Sequence, residues 1–196
     1  MTTENLKIPI EAKNYAECSE LVRRQIGQII KDSIENDENK IFIRTNLKRG
    51  LPLENINKVA GPFVEAWAVE KFEMIAEDPQ NKFELVHVEA GARLNLYDIL
   101  LQFKKNDNSD CNIVTTGVDV KATSEDIAGS GKSPNITSYA RIRTEYVKDP
   151  DYIFVILSLK HKVYGEKEAE TGMTNGIMEV VSYSVYDLKY VSENDL

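Results

Sequence analysis

The chain has 196 residues, 42% of them hydrophobic and 29% charged, with a formal net charge of −8. That length suits one domain with a sizeable core, and the composition is that of an ordinary globular protein. The negative balance argues against a protein that coats nucleic acid nonspecifically, and no apolar run reaches the roughly 18–20 residues needed to span a membrane.

Residues 1–9 carry no apolar signal region, so the cytoplasm is the expected address. Residues 10–36 predict a long amphipathic helix, with Leu21, Val22, Ile26, Ile29 and Ile30 at helical spacing. Ile41-Phe42-Ile43 reads as a short strand or as the start of another helix. Residues 53–77 predict a second helix through Val59, Phe63, Trp67, Phe72 and Ile75, stopped by Asp78-Pro79. After Pro79 the pattern changes to strands at 83–90, 96–104 and 113–122, with a polar turn at 105–112 between the second and third. A Gly-, Ser- and Asn-rich loop at 129–135 leads to a candidate helix at 138–148, closed by Asp149-Pro150. A strongly apolar strand at 152–159 and a last strand region at 178–191 complete the chain. The order predicts an α/β (α+β) domain. There is no internal repeat and no clear linker.

Charge is unevenly spread. Residues 41–60 hold four basic residues against one acid, and residues 131–162 hold six basics against three acids. The stretch from 163 onward has seven acids and two lysines. An acidic protein with basic segments can still hold DNA in a local groove, although a solvated surface gives the same pattern. Cys18 and Cys111 form no metal-binding spacing and read as reduced thiols. His87 and His161 are too far apart for a zinc or histidine-metal site.

Four acid-x-Lys triplets occur: Glu11-Ala-Lys13, Glu38-Asn-Lys40, Asp119-Val-Lys121 and Asp187-Leu-Lys189. Asp119-Val-Lys121 has a partner that the others lack. The turn at 105–112 centres near Asn108-Ser109, with Asp98 about ten residues before it and Asp119 about ten after. A simple hairpin would set the two carboxylates opposite each other, at Cβ separations of roughly 4.5–5.5 Å. Alternation puts Asp119 and Lys121 on one face. Like charges across a ladder are destabilising unless a cation neutralises them. Carboxylate oxygens without imidazole or thiolate suit Mg²⁺, or Mn²⁺ in its place. Lys121 could then hold an attacking water or stabilise developing phosphorane charge. Asp187-Leu-Lys189 is the competing triplet, because it also falls in a predicted strand. A surface salt bridge is the bland reading of either.

With these residues in order, the stretch from about 61 to 159 resembles the PD-(D/E)xK nuclease superfamily, and within it the type II restriction endonucleases. Asp98 takes the place of the first motif Asp, and Asp119 and Lys121 take the (D/E)-x-K places. Residue 97 is Tyr where the motif often has Pro. Gly61-x-x-x-Glu65 resembles the opening of the family's first core helix, so Glu65 is the candidate third acid, with Glu70 as its rival. The resemblance implies a restriction-endonuclease-like core, a central mixed sheet of about five strands flanked by helices. It implies one nuclease domain over residues 1–196, with a helical part at 1–80, a catalytic sheet core at about 61–160 and a C-terminal strand region at 161–196.

It further implies a Mg²⁺-dependent endonuclease acting on double-stranded DNA, most simply as a homodimer, cytoplasmic in a prokaryotic cell or encoded by a phage. A cognate DNA methyltransferase is an expected companion. Glu65, Asp98 and Asp119 would hold metal, and Lys121 would complete the catalytic set. A repair or junction-resolving nuclease, or a non-catalytic DNA-binding domain, are the rival readings. Gly129-Ser-Gly-Lys132-Ser133 is not a phosphate loop, because Asp126 stands where that pattern needs Gly. Lys132, Asn135, Thr137, Ser138, Arg141 and Arg143 are instead the candidate DNA contacts.

Overall fold

The computed structural model describes residues 10–47, 50–92, 94–105, 113–125 and 139–191. The elements run α1 (Tyr15–Glu35), β1 (Lys40–Ile43), α2 (Leu53–Ile56), a 3₁₀ turn (Asn57–Val59), α3 (Ala60–Glu77), β2 (Leu85–Ala90), β3 (Ile99–Lys104), β4 (Ile113–Ser124), α4 (Tyr139–Lys148), β5 (Ile153–Lys167), β6 (Thr174–Asp187) and a final 3₁₀ turn (Leu188–Tyr190). One mixed sheet of order β1-β6-β5-β4-β3-β2 gathers the strands. Only β4 and β5 pair in parallel. The crossover between them contains α4, as a parallel pair requires.

The apolar pattern explains the layering. β5 is buried on both faces, and its side chains alternate between two clusters. Ile153, Val155, Leu157 and Leu159 join a core built with Val22, Ile26, Ile29 and Ile30 of α1 and Val64, Trp67, Ala68 and Phe72 of α3. Phe154 and Ile156 point the other way, onto Ile142 and Tyr146 of α4 and Leu188. Helices therefore cover both faces of the sheet. The apolar stripe of α1 is used in the chain's own core, against β6.

Several sequence expectations need correction. The sheet has six strands rather than about five, because Lys40–Ile43 resolves as a strand on the outer edge of β6. A three-residue apolar run has no period to distinguish helix from strand. β3 begins at Ile99, so Asp98 precedes the strand instead of lying within it. β5 and β6 extend outward to Lys167 and Thr174 as a long hairpin, and β1 pairs with that extension. β6 ends at Asp187, and Leu188–Tyr190 turns away as 3₁₀. The long predicted helix at 53–77 is broken by the 3₁₀ turn before Ala60.

Candidate active site

β4 carries the candidate chemistry. Its first half pairs with β3, from Ile113 opposite Lys104 to Val118 opposite Ile99. Beyond Val118, among the described residues, it pairs only with β5, from Asp119 beside Ile156 to Ser124 beside His161. Among the described strands the β3 side of Asp119–Ser124 is thus an open edge. Continuing the hairpin register by one step sets Asp98 opposite Asp119, as the sequence count predicts. Asp98 fills the gap left by the strand. Its N–H donates to Val118 O at 2.9 Å, and its Oδ2 accepts the Val120 N–H at 2.7 Å. The carboxylate takes over a hydrogen bond that the ladder would otherwise have made.

Val118 and Val120 point into the core shared with α1 and α3, so Asp119 and Lys121 project from the opposite face. Lys121 Nζ donates to Asp119 Oδ1 at 2.9 Å and stands 2.8 Å from Oδ2. The second approach does not make a hydrogen bond, which leaves Oδ2 a buried carboxylate oxygen without a donor. Burial pushes the Asp119 carboxyl above its ordinary range, Lys121 pulls it back, and the facing Asp98 carboxyl raises it again.

The structure separates the two helix acids. Glu65 is half-buried on α3, and its carboxyl is raised first by burial and then by the charges of Asp98 and Asp119. Glu70 is exposed, in line with Phe63 and Met74, which are themselves 40% and 58% exposed. Of the three residues beside Glu70 on a helical wheel, Phe63, Trp67 and Met74, only Trp67 is buried in the core. Glu65→Gln is expected to reduce cleavage at least about tenfold while Glu70→Gln changes it less than about twofold. Equal rates for the two variants in a plasmid assay would remove Glu65 from the site.

Among the described residues no group of three Asp, Glu, His or Cys side chains converges closely enough to hold an ion as it stands. Asp98 and Asp119 are in contact, Glu65 lies within range of their charges, and Lys121 sits on Asp119. The donor set is oxygen only, and the pair carries a buried oxygen without a donor; both properties fit a hard divalent cation.

The competing triplet is structural. Asp187 is 3% exposed. Its Oδ2 accepts from Tyr15 Oη at 2.9 Å and Ser19 Oγ at 2.6 Å, and its Oδ1 accepts the Lys189 N–H at 2.9 Å. The Lys189 ammonium donates to Pro150 O and lies 4.0 Å from the Tyr15 ring centre. Nothing in the residue pattern signals this network, because Tyr15 and Ser19 are remote from Asp187 along the chain.

Of the candidate DNA contacts, Lys132, Asn135, Thr137 and Ser138 lie outside the described residues. Arg141 and Arg143 lie on α4. Arg141 is exposed and donates to Leu94 O at 3.2 Å, which ties α4 to the loop leading to Asp98. The Arg143 guanidinium stands 5.6 Å from the Tyr139 ring centre.

A mixed sheet with helices on both faces, and an Asp and an Asp-x-Lys meeting at an open strand edge, define a restriction-endonuclease-like protein. The model of the family "Type II restriction endonuclease HpaI" matches residues 2–196. The chain is 50% identical over 192 residues to the type II restriction enzyme HpaI of Haemophilus parainfluenzae, covering 98% of this chain and 74% of that relative. No solved structure matches the chain. The chain belongs to the HpaI family of type II restriction endonucleases.

Proposed function

We propose that the protein is a Mg²⁺-dependent endonuclease that hydrolyses phosphodiester bonds of double-stranded DNA at a specific sequence. The observation that carries this is the Asp98–Asp119–Lys121 cluster on the open edge of β4, with Glu65 within range of its charges. Family membership supports the substrate class. Asp98 and Asp119 would hold the ion, with Glu65 as third acid. A divalent cation bound there supplies the Lewis acidity that polarises a phosphodiester and acidifies a water. Lys121 supplies the positive charge on Asp119. Once it leaves Asp119, its ammonium is free to orient the water and to meet charge developing on the phosphate. Arg141 and Arg143, with Lys132, Asn135, Thr137 and Ser138, are the proposed DNA contacts. The reading places one nuclease unit in each protomer of a homodimer, whose twofold axis would match a palindromic site. It also places the protein in the cytoplasm beside a protecting methyltransferase.

Plasmid DNA incubated with the protein and Mg²⁺ tests the proposal. Discrete bands are the expected result, and sequencing their ends gives the site. A smear would indicate a nonspecific nuclease, and tight binding without cleavage would reduce the domain to a binding module.

The raised carboxyls give a pH prediction. Asp119 and Glu65 hold their protons to higher pH in the folded protein than in the unfolded chain. Stability of the metal-free protein therefore falls as pH rises from the ordinary carboxylate range through the raised values. A bound cation needs both groups ionised, so its affinity rises over the same window and binding releases protons. Calorimetric titration of Mg²⁺ in two buffers of different ionisation enthalpy measures that release; identical heats would show that these carboxyls are already ionised.

A further inference from the structure

We propose that Tyr97 is a positioning residue for Asp98, clamping it from outside the ladder between Gly91 and Gly117; this rests on the reading of Asp98 as a metal-holding residue. β3 starts only at Ile99, so the regular ladder ends one residue short of Asp98, which reaches β4 through its own N–H and carboxylate and is held elsewhere by the packing of its neighbours. On one side the Asp98 carbonyl accepts the Gly91 N–H at 2.6 Å. The approach is closer than any side chain permits. A Cβ on Gly91 would stand 2.1 Å from the Tyr97 carbonyl oxygen and 3.1 Å from that of Asp98. On the other side Tyr97 lies over Gly117, two residues before Asp119. A Cβ there would meet Tyr97 Cβ and the Phe154 ring at 3.2 Å and the Tyr152 hydroxyl at 2.8 Å.

Tyr97 is half-buried and packs with Tyr139, Tyr152 and Leu96 on the apolar cluster beneath α4. Tyr152 links that packing to Tyr146 and Phe154, with ring centres 6.1 and 6.2 Å away. Two glycines and an aromatic shelf thus fix the peptide that delivers Asp98 to Asp119. A proline at this position would stiffen the chain covalently through φ. Tyrosine achieves the restraint by packing, and the restraint depends on the small residues on either side. A ligating carboxylate on a loop residue needs this kind of support, because a displacement of about 1 Å can cost roughly 100-fold in rate.

The test compares Tyr97→Ala, Tyr97→Phe, Gly91→Ala and Asp98→Asn. Each is assayed for cleavage kinetics and for the Mn²⁺ concentration that half-maximally raises the melting temperature of the DNA-free protein. Tyr97→Ala is expected to lower kcat about 10- to 100-fold, with KM for DNA within about threefold. Its Mn²⁺ midpoint should rise several-fold. Tyr97→Phe should restore both readings, and Gly91→Ala should reproduce the loss from the other side of the clamp. A folded Tyr97→Ala protein with unchanged kcat and Mn²⁺ midpoint overturns the proposal, as does a Phe variant as impaired as Ala. If Tyr97→Ala does not fold, Tyr97→Leu and Gly91→Ala carry the same two measurements and the same criteria. Asp98→Asn separates the two levels. An unchanged Mn²⁺ midpoint there removes Asp98 as a ligand, whereas a shifted midpoint with Tyr97→Ala unaffected removes only the clamp.

Discussion

Lys121→Ala is expected to lower DNA cleavage on the order of 1,000-fold, the scale on which losing one preorganised donor at developing charge is felt. The fold should survive, because Lys121 is a half-exposed side chain at an open edge whose bonded partner is Asp119. Its melting temperature should shift by only a few degrees. Asp119→Ala should lose activity to a similar extent, since it removes the oxygen pair around which the site is built. The control is Lys189→Ala, which removes the lysine of the competing triplet. That ammonium sits among Pro150 O and the rings of Tyr15 and Tyr146, so its loss should lower thermal stability and leave the cleavage rate of the folded protein intact. Single-turnover cleavage of a plasmid at a temperature where all variants are folded decides the matter. Loss of cleavage in Lys189→Ala with retention in Lys121→Ala would move the site to the end of β6, beside Val155.

The largest stability effect is expected at Asp187. Asp187→Ala leaves the Tyr15 and Ser19 hydroxyls and the Lys189 N–H without their acceptor in a buried setting. Burial and the Asp187 charge together push the Tyr15 phenol far above its ordinary value, so that hydroxyl remains a donor at every accessible pH. Unsatisfied buried donors cost about 1–3 kcal/mol each at most, and breaking a buried charged network typically costs about 3–5 kcal/mol in total. A loss near about 3 kcal/mol corresponds to roughly 6–12 °C in melting temperature for a chain of this size. Calorimetry measures it directly. A change under about 1 °C would mean that the network contributes nothing net.

The juxtaposition of Asp98 and Asp119 was legible because strand arithmetic is rigid. The register in which Ile99 meets Val118, carried one step further, brings Asp98 to Asp119, as the residue count from the sequence predicts. Element order along the chain was equally legible, since long apolar stretches with a clear period specify helix or strand by themselves. What sequence could not give was decided by distant partners. The outer half of β5, His161–Lys167, is too polar to announce a strand, and it forms one because β6 is there to pair with it. The start of β3 depends on how closely Gly91 lets the chain approach Tyr97, a distance that no periodicity encodes. Glu65 and Glu70 have the same chemistry and lie on one helix; only the burial of α3 tells them apart.

The bonds from Tyr15 and Ser19 to Asp187 span 172 and 168 residues of chain, and β1 waits on the same distant strand. Residues 65 to 121 leave the ribosome well before their sheet has its central strand β5, and the Asp187 anchor of α1 emerges later still. Contacts of such separation form late and slowly, so refolding belongs on the millisecond-to-second scale of non-local topologies. During synthesis, the carboxylates of the candidate site are made early and assembled late.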